Sequence, residues 1–70
     1  MDMNTIISQT NAILAYMKAG NGITPMDALH LCGCFRLSAR IADIKKLGYA
    51  VKTESIKVEG GKYVARYSLA

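Results

Sequence analysis

Residues 23–48 read ITPMDALHLCGCFRLSARIADIKKLG, a pattern of two helical stretches separated by a tight turn. Thr24 is a good N-cap, because its hydroxyl can accept from the free N–H groups of a first helical turn. Pro25 follows at the first helical position, where its missing N–H costs nothing, and Asp27 at the third gives an approximate capping box. A helix is therefore predicted from Pro25. Ala28, Leu29 and Cys32, with Met26 flanking, fit a short amphipathic helix that ends near Leu31, since Gly33 interrupts the pattern.

The next helix is predicted over Phe35–Leu47, with Gly48 placed to take the left-handed conformation that closes helix ends. At about 100° per residue, Leu37, Ile41, Ile44 and Gly48 share a narrow stripe with Leu47 at its border, which makes this the buried face. The opposite face carries Ala39, Ala42, Asp43 and Lys46, with Arg36 on one shoulder and Ser38 and Lys45 on the other. Arg40 falls near the apolar edge, where its stem can pack while its head emerges or pairs with Asp43 three residues on. Two short helices about a tight turn, the second carrying most of the positive charge, make a helix-turn-helix.

Such a cationic helix, with small residues at Ala39 and Ala42, suits the major groove of double-stranded DNA. Its N-terminal residues would meet base edges and its later lysines phosphates. Composition agrees with an anionic partner: nine Lys and Arg against five Asp and Glu give +4 in a chain of 70 residues. That length is expected to form a single domain, residues 1–70, with little room for a deep catalytic cleft. No apolar run approaches the roughly 18 residues of a membrane span, and no secretory leader is recognisable, so a cytoplasmic protein is expected.

Upstream, Met1–Ile7 fits a strand, a helix start or a frayed terminus equally well. A first helix is predicted from Ser8, with Ala12, Ile13, Tyr16 and Met17 at helical spacing and Leu14 beside them, ending after Ala19 at Gly20-Asn21-Gly22. Ile23 is left for a residue or two of extended chain pairing with a downstream hairpin. Beyond Gly48 the period falls to about two. Tyr49, Val51 and Thr53 alternate, then Ile56 and Val58, then Tyr63, Ala65, Tyr67 and Leu69, with Gly60-Gly61 between the last two sets.

A two-residue Gly-Gly turn would set Glu59 opposite Lys62, Val58 opposite Tyr63, Ile56 opposite Ala65 and Glu54 opposite Tyr67. Ile56, Val58, Tyr63, Ala65, Tyr67 and Leu69 would then share an apolar side, and Lys57, Lys62 and Arg66 a basic one suited to a phosphate backbone. Because Tyr49 and Val51 are odd-numbered and Ile56 and Val58 even, a bulge or break is predicted between Lys52 and Ser55. The fold class is accordingly α+β, a winged helix-turn-helix of three helices followed by a two-stranded hairpin.

The run from Ile13 to Leu69 resembles a small helix-turn-helix family widespread in bacteriophage and prophage genomes. The matching pieces are Ile23-Thr24-Pro25, Arg36-Leu37 with Arg40-Ile41, Gly48-Tyr49, and Tyr67-Ser68-Leu69. The resemblance implies a winged helix of DNA-binding type encoded by a phage or an integrated element, and it carries over a basic residue at Lys45. Asp43 departs from it by placing a negative charge near the reading face.

The expected DNA-contacting residues are Arg36, Ser38, Ala39, Arg40, Lys45 and Lys46 of the helix with Lys57, Lys62 and Arg66 of the wing. Specific binding by so small a chain calls for a homodimer on a repeated or palindromic site. Other chemistry is weakly supported. His30, Cys32 and Cys34 fall short of the four ligands of a structural zinc site, and cysteines two apart form only a strained disulfide. Cys32 is expected as a small core residue and Cys34 at the turn. The four tyrosines sit at core spacing. No catalytic constellation, cofactor or small-molecule substrate is expected. The rival readings are a winged helix that grips a host or phage protein, and a self-assembling structural component.

Overall fold

The computed structural model describes residues 3–70. They form α1 (Met3–Lys18), α2 (Pro25–Cys32), α3 (Leu37–Lys46), β1 (Val51–Lys57) and β2 (Tyr63–Leu69). The expected α+β fold is present: three helices followed by an antiparallel hairpin.

α2 has the predicted cap in full. The Asp27 N–H donates to Thr24 Oγ1 (3.2 Å) and the Thr24 N–H donates to Asp27 Oδ2 (3.0 Å), so each residue satisfies a backbone donor the helix leaves open. Gly33 ends the helix at φ 66°, ψ 25°, a conformation that a Cβ would disfavour, and its N–H reaches the Ala28 and Leu29 carbonyls. Thr24→Ala should therefore cost about 1 kcal/mol and lower the melting temperature by roughly 4–8 °C, measurable by thermal circular dichroism. No change would mean that the capping box carries no stability.

α1 starts at Met3, five residues before the predicted Ser8. Of the readings left open for Thr5, Ile6 and Ile7, the helix start holds, although their β-branching weakly disfavours it. Ile6 and Thr10 pack beside Asp43 and Leu47 at the far end of α3, and the Thr10 hydroxyl donates to the Ile6 carbonyl at 2.8 Å. Met1 and Asp2, which belong to the stretch left undecided, lie outside the described residues. α3 begins at Leu37 rather than Phe35, because burial of Cys34 keeps the chain in a turn until Arg36.

The core joins Ile13, Leu14 and Met17 of α1 to Ile23, Ala28, Cys34 and the Leu37–Ile41–Ile44 stripe of α3. Full burial of each isoleucine contributes on the order of 2–3 kcal/mol. Tyr16, Tyr49, Val51, Tyr67 and Leu69 close the rim. Two members of the expected stripe lie outside it: Leu47 is 62% exposed and Gly48 is also exposed, because α3 ends at Lys46 and the chain turns away at Gly48, φ 102°. Tyr63, expected at core spacing, is 68% exposed near the hairpin tip. Cys34 sits at the turn as expected but is itself fully inside, whereas Cys32 is half-buried.

The hairpin corrects the predicted register by one residue. Val51 pairs with Leu69, Thr53 with Tyr67, Glu54 with Arg66, Ser55 with Ala65, Ile56 with Val64 and Lys57 with Tyr63. The connection is three residues long, Glu59–Gly61, closed by Val58 N–H donating to the Lys62 carbonyl at 2.8 Å. Gly60 takes φ 86°, so the glycines still provide the left-handed backbone such a turn needs.

The strand runs unbroken from Val51 to Lys57, so the expected bulge is absent. The parity change is accommodated by covering both faces. Val51, Tyr67 and Leu69 meet the helical core, while Val58 and Val64 face a recess beside Thr24, Pro25 and Met26 at the start of α2. As a further consequence, Lys57 and Arg66 lie on opposite faces, and the predicted common basic side of Lys57, Lys62 and Arg66 does not form. Ile23 supplies the anticipated third strand position, its N–H donating to the Tyr67 carbonyl (2.7 Å) and its carbonyl accepting from the Tyr67 N–H (2.9 Å).

Candidate nucleic-acid interface

The site is built on α3, whose inner face is fixed by Leu37, Ile41 and Ile44 and whose outer face is thereby presented to solvent. Ser38, Ala42, Lys45 and Lys46 are exposed along that outer arc, and Ala39 is half-buried at its edge. Arg36 stands exposed at the N-cap. It lies nine positions before Lys45, or about 13 Å along the axis at helical rise. The small side chains of Ala39 and Ala42 leave the middle of this face low, with cations at its two ends.

Arg40 takes the inward alternative. Its side chain is 11% exposed and its Nε lies 3.1 Å from Asp43 Oδ2, so the pair forms across one helical turn. This pairing also settles the electrostatics of the face: the single carboxylate of α3 is half-buried against a guanidinium instead of projecting among the exposed lysines.

On the wing, Lys57 and Lys62 are exposed at the hairpin tip, and Tyr63 stands exposed opposite Lys57. Arg66 is half-buried, across from Glu54 and so close to Gly22 that a Cβ there would lie 2.5 Å from its guanidinium. Of the remaining cations, Lys52 approaches Glu54 at 3.8 Å and Lys18 Nζ lies 5.1 Å from the centre of the Tyr49 ring. The Lys52–Glu54 approach follows from their i,i+2 spacing on one face of β1, whereas the Lys18–Tyr49 contact depends on how distant elements pack.

Sequence reasoning passed over Phe35. It is 82% exposed, in the turn immediately before Arg36, and with Pro25, Met26, Leu29 and Cys34 it borders a shallow recess. Because Pro25 and Met26 also line the recess against Val58 and Val64, the start of α2 lies between the entrance to α3 and the wing tip.

The thiols are not arranged for chemistry. Both are free, and burial together with the neighbouring Cys34 pushes the Cys32 thiol above its ordinary 9.0, against a smaller lowering by a backbone hydrogen bond from Cys34. At neutral pH Cys32 is thus held as the thiol, the poorer nucleophile and metal ligand. Among the described residues no group of three or more His, Cys, Asp or Glu side chains converges on a point suited to a metal ion.

Three helices, a cationic outer face on the third and a hairpin beside it define a winged helix-turn-helix protein. Residues 8–70 match the winged helix-turn-helix domain family, and the chain belongs to it. No curated protein and no solved structure gives a match. Among the described residues, no helix is long and apolar enough to cross a membrane.

Proposed function

We propose that the chain binds double-stranded DNA, with α3 in the major groove and the Lys57–Lys62 end of the hairpin along the backbone. The observation that carries this reading is the outer face of α3. Its small residues permit close approach, Lys45 and Lys46 are exposed, and Asp43 is taken up by Arg40. Arg36, Ser38 and Ala39 lie at base edges, Arg36 also reaching a phosphate, and Lys45, Lys46, Lys57 and Lys62 meet phosphates. Arg40 and Arg66 act as supports, one fixing Asp43 and the other the junction of β2 with Gly22. The protein is a non-catalytic binder of phage or prophage type, a transcriptional regulator or DNA-transaction accessory in the bacterial cytoplasm. It reads a repeated or palindromic site as a homodimer.

With Arg36, Lys45, Lys46, Lys57 and Lys62 as the phosphate-accessible cations, log affinity should fall with log salt at a slope of about −4 to −5. Fluorescence anisotropy on a mixed-sequence duplex between about 50 and 200 mM salt would then show a loss of roughly several hundred-fold. A folded protein that does not bind at the lower salt would defeat the reading.

A second reading, a module that docks on a protein, is favoured by a different surface. Met3, Ile7 and Leu47, exposed by 68%, 50% and 62%, border a shallow groove between α1 and the end of α3. Charge reversal on α3 and the wing would leave a contact made there intact, which separates the two readings.

A further inference from the structure

We infer that Phe35 is a base-reading residue, making apolar contact with the methyl group of a thymine in the major groove; this deepens the DNA-binding reading and rests on it. Phe35 is 82% exposed, the highest value among the exposed large hydrophobic side chains of the described residues, and it stands at the entrance to α3. With Pro25, Met26, Leu29 and Cys34 it borders a shallow recess.

Its place selects the occupant. Phe35 directly precedes Arg36, the N-cap of α3, and the first residues of a recognition helix are the ones that reach base edges. Arg36 beside it carries positive charge; of the nearby carboxylates, Asp27 is half-buried in the Thr24 capping box and Glu59 is exposed at the wing tip, across the recess from Pro25 and Met26. A polyanion with an apolar point on its floor fits that combination. In the major groove the thymine C5-methyl is that point, and Phe is among the side chains that contact it. Arg36 beside it is placed to donate to a neighbouring guanine or a phosphate.

The test uses duplexes enriched by the wild-type protein from a random-sequence pool. Each thymine of an enriched duplex is replaced in turn by deoxyuridine, which removes the methyl and leaves pairing and charge unchanged. At one position the wild type should lose about fourfold in affinity, the value of one buried methyl-sized group. Phe35→Ala should bind the thymine and deoxyuridine duplexes equally, with an unaltered salt slope, while Phe35→Leu retains part of the preference. A side chain so exposed is replaceable without unfolding, which circular dichroism would verify. Pool binding with no methyl-sensitive thymine, or a methyl effect that persists in Phe35→Ala, overturns the inference alone. Absence of any pool binding at about 50 mM salt overturns the DNA reading along with it.

Discussion

Ile44→Ala should destabilise the protein by about 3 kcal/mol, whereas Leu47→Ala, three residues on, should change stability by less than about 0.5 kcal/mol. Ile44 is fully buried and sits at the centre of the contact between α3 and the rest of the core. Truncating it removes three carbon atoms from water-excluded packing and leaves a void that the short surrounding helices close only partly. Leu47 is 62% exposed after the helix has ended, so alanine there removes little that was buried. A domain of this length has a total stability of roughly 4–10 kcal/mol. The first substitution therefore takes away a large share of it, lowering the melting temperature by about 12–24 °C. Equilibrium urea unfolding of the two variants would show the contrast. Equal losses would mean that α3 continues through Leu47 with its stripe turned inward, as helical periodicity alone predicts, and would contradict the observed packing.

That pair of residues also marks where sequence reading stops. Sequence patterns that act within one turn were legible: the Thr24–Asp27 box, the stop at Gly33, and the Leu37–Ile41–Ile44 stripe all follow from chemistry that neighbouring residues settle between themselves. Features decided by distant partners were not. Thr5–Ile7 became helix because α3 offers Ile6 a surface, which no local propensity reports. The hairpin slipped by one position because a Gly-Gly pair serves a three-residue connection as well as a two-residue one. The choice between them rests on whether α2 can cover Val58 and Val64 on the second face. The candidate site divides in the same way. The exposed cations of α3 follow from helical phase, while the half-buried setting of Arg66 depends on Ile23 pairing with Tyr67, and the exposure of Phe35 on the turn holding Cys34 inside.

Lys46→Glu combined with Lys62→Glu should weaken DNA binding by roughly 100-fold or more at about 50 mM salt and reduce the salt slope to about −3 or shallower. The magnitude follows from counterion release. Each phosphate contact contributes about 0.9 to the slope, so two lost contacts account for about two orders of magnitude at that salt, and the introduced carboxylates add repulsion. Both lysines are exposed, so the variant should remain folded. The informative comparison is Lys18→Glu combined with Lys52→Glu, which changes the formal charge of +4 by the same amount. Those two side chains lie against Tyr49 and beside Glu54, and neither belongs to α3 or to the hairpin tip. If binding depended only on the overall field of the molecule, the two double variants would be equally impaired. If it depends on α3 and the wing meeting the duplex, the Lys46/Lys62 variant should be at least about tenfold the weaker, because only there are local phosphate contacts removed. Equal impairment would reduce the chain to a nonspecific polycation. Binding unaffected in both would move attention to the Met3–Ile7–Leu47 groove and a protein partner.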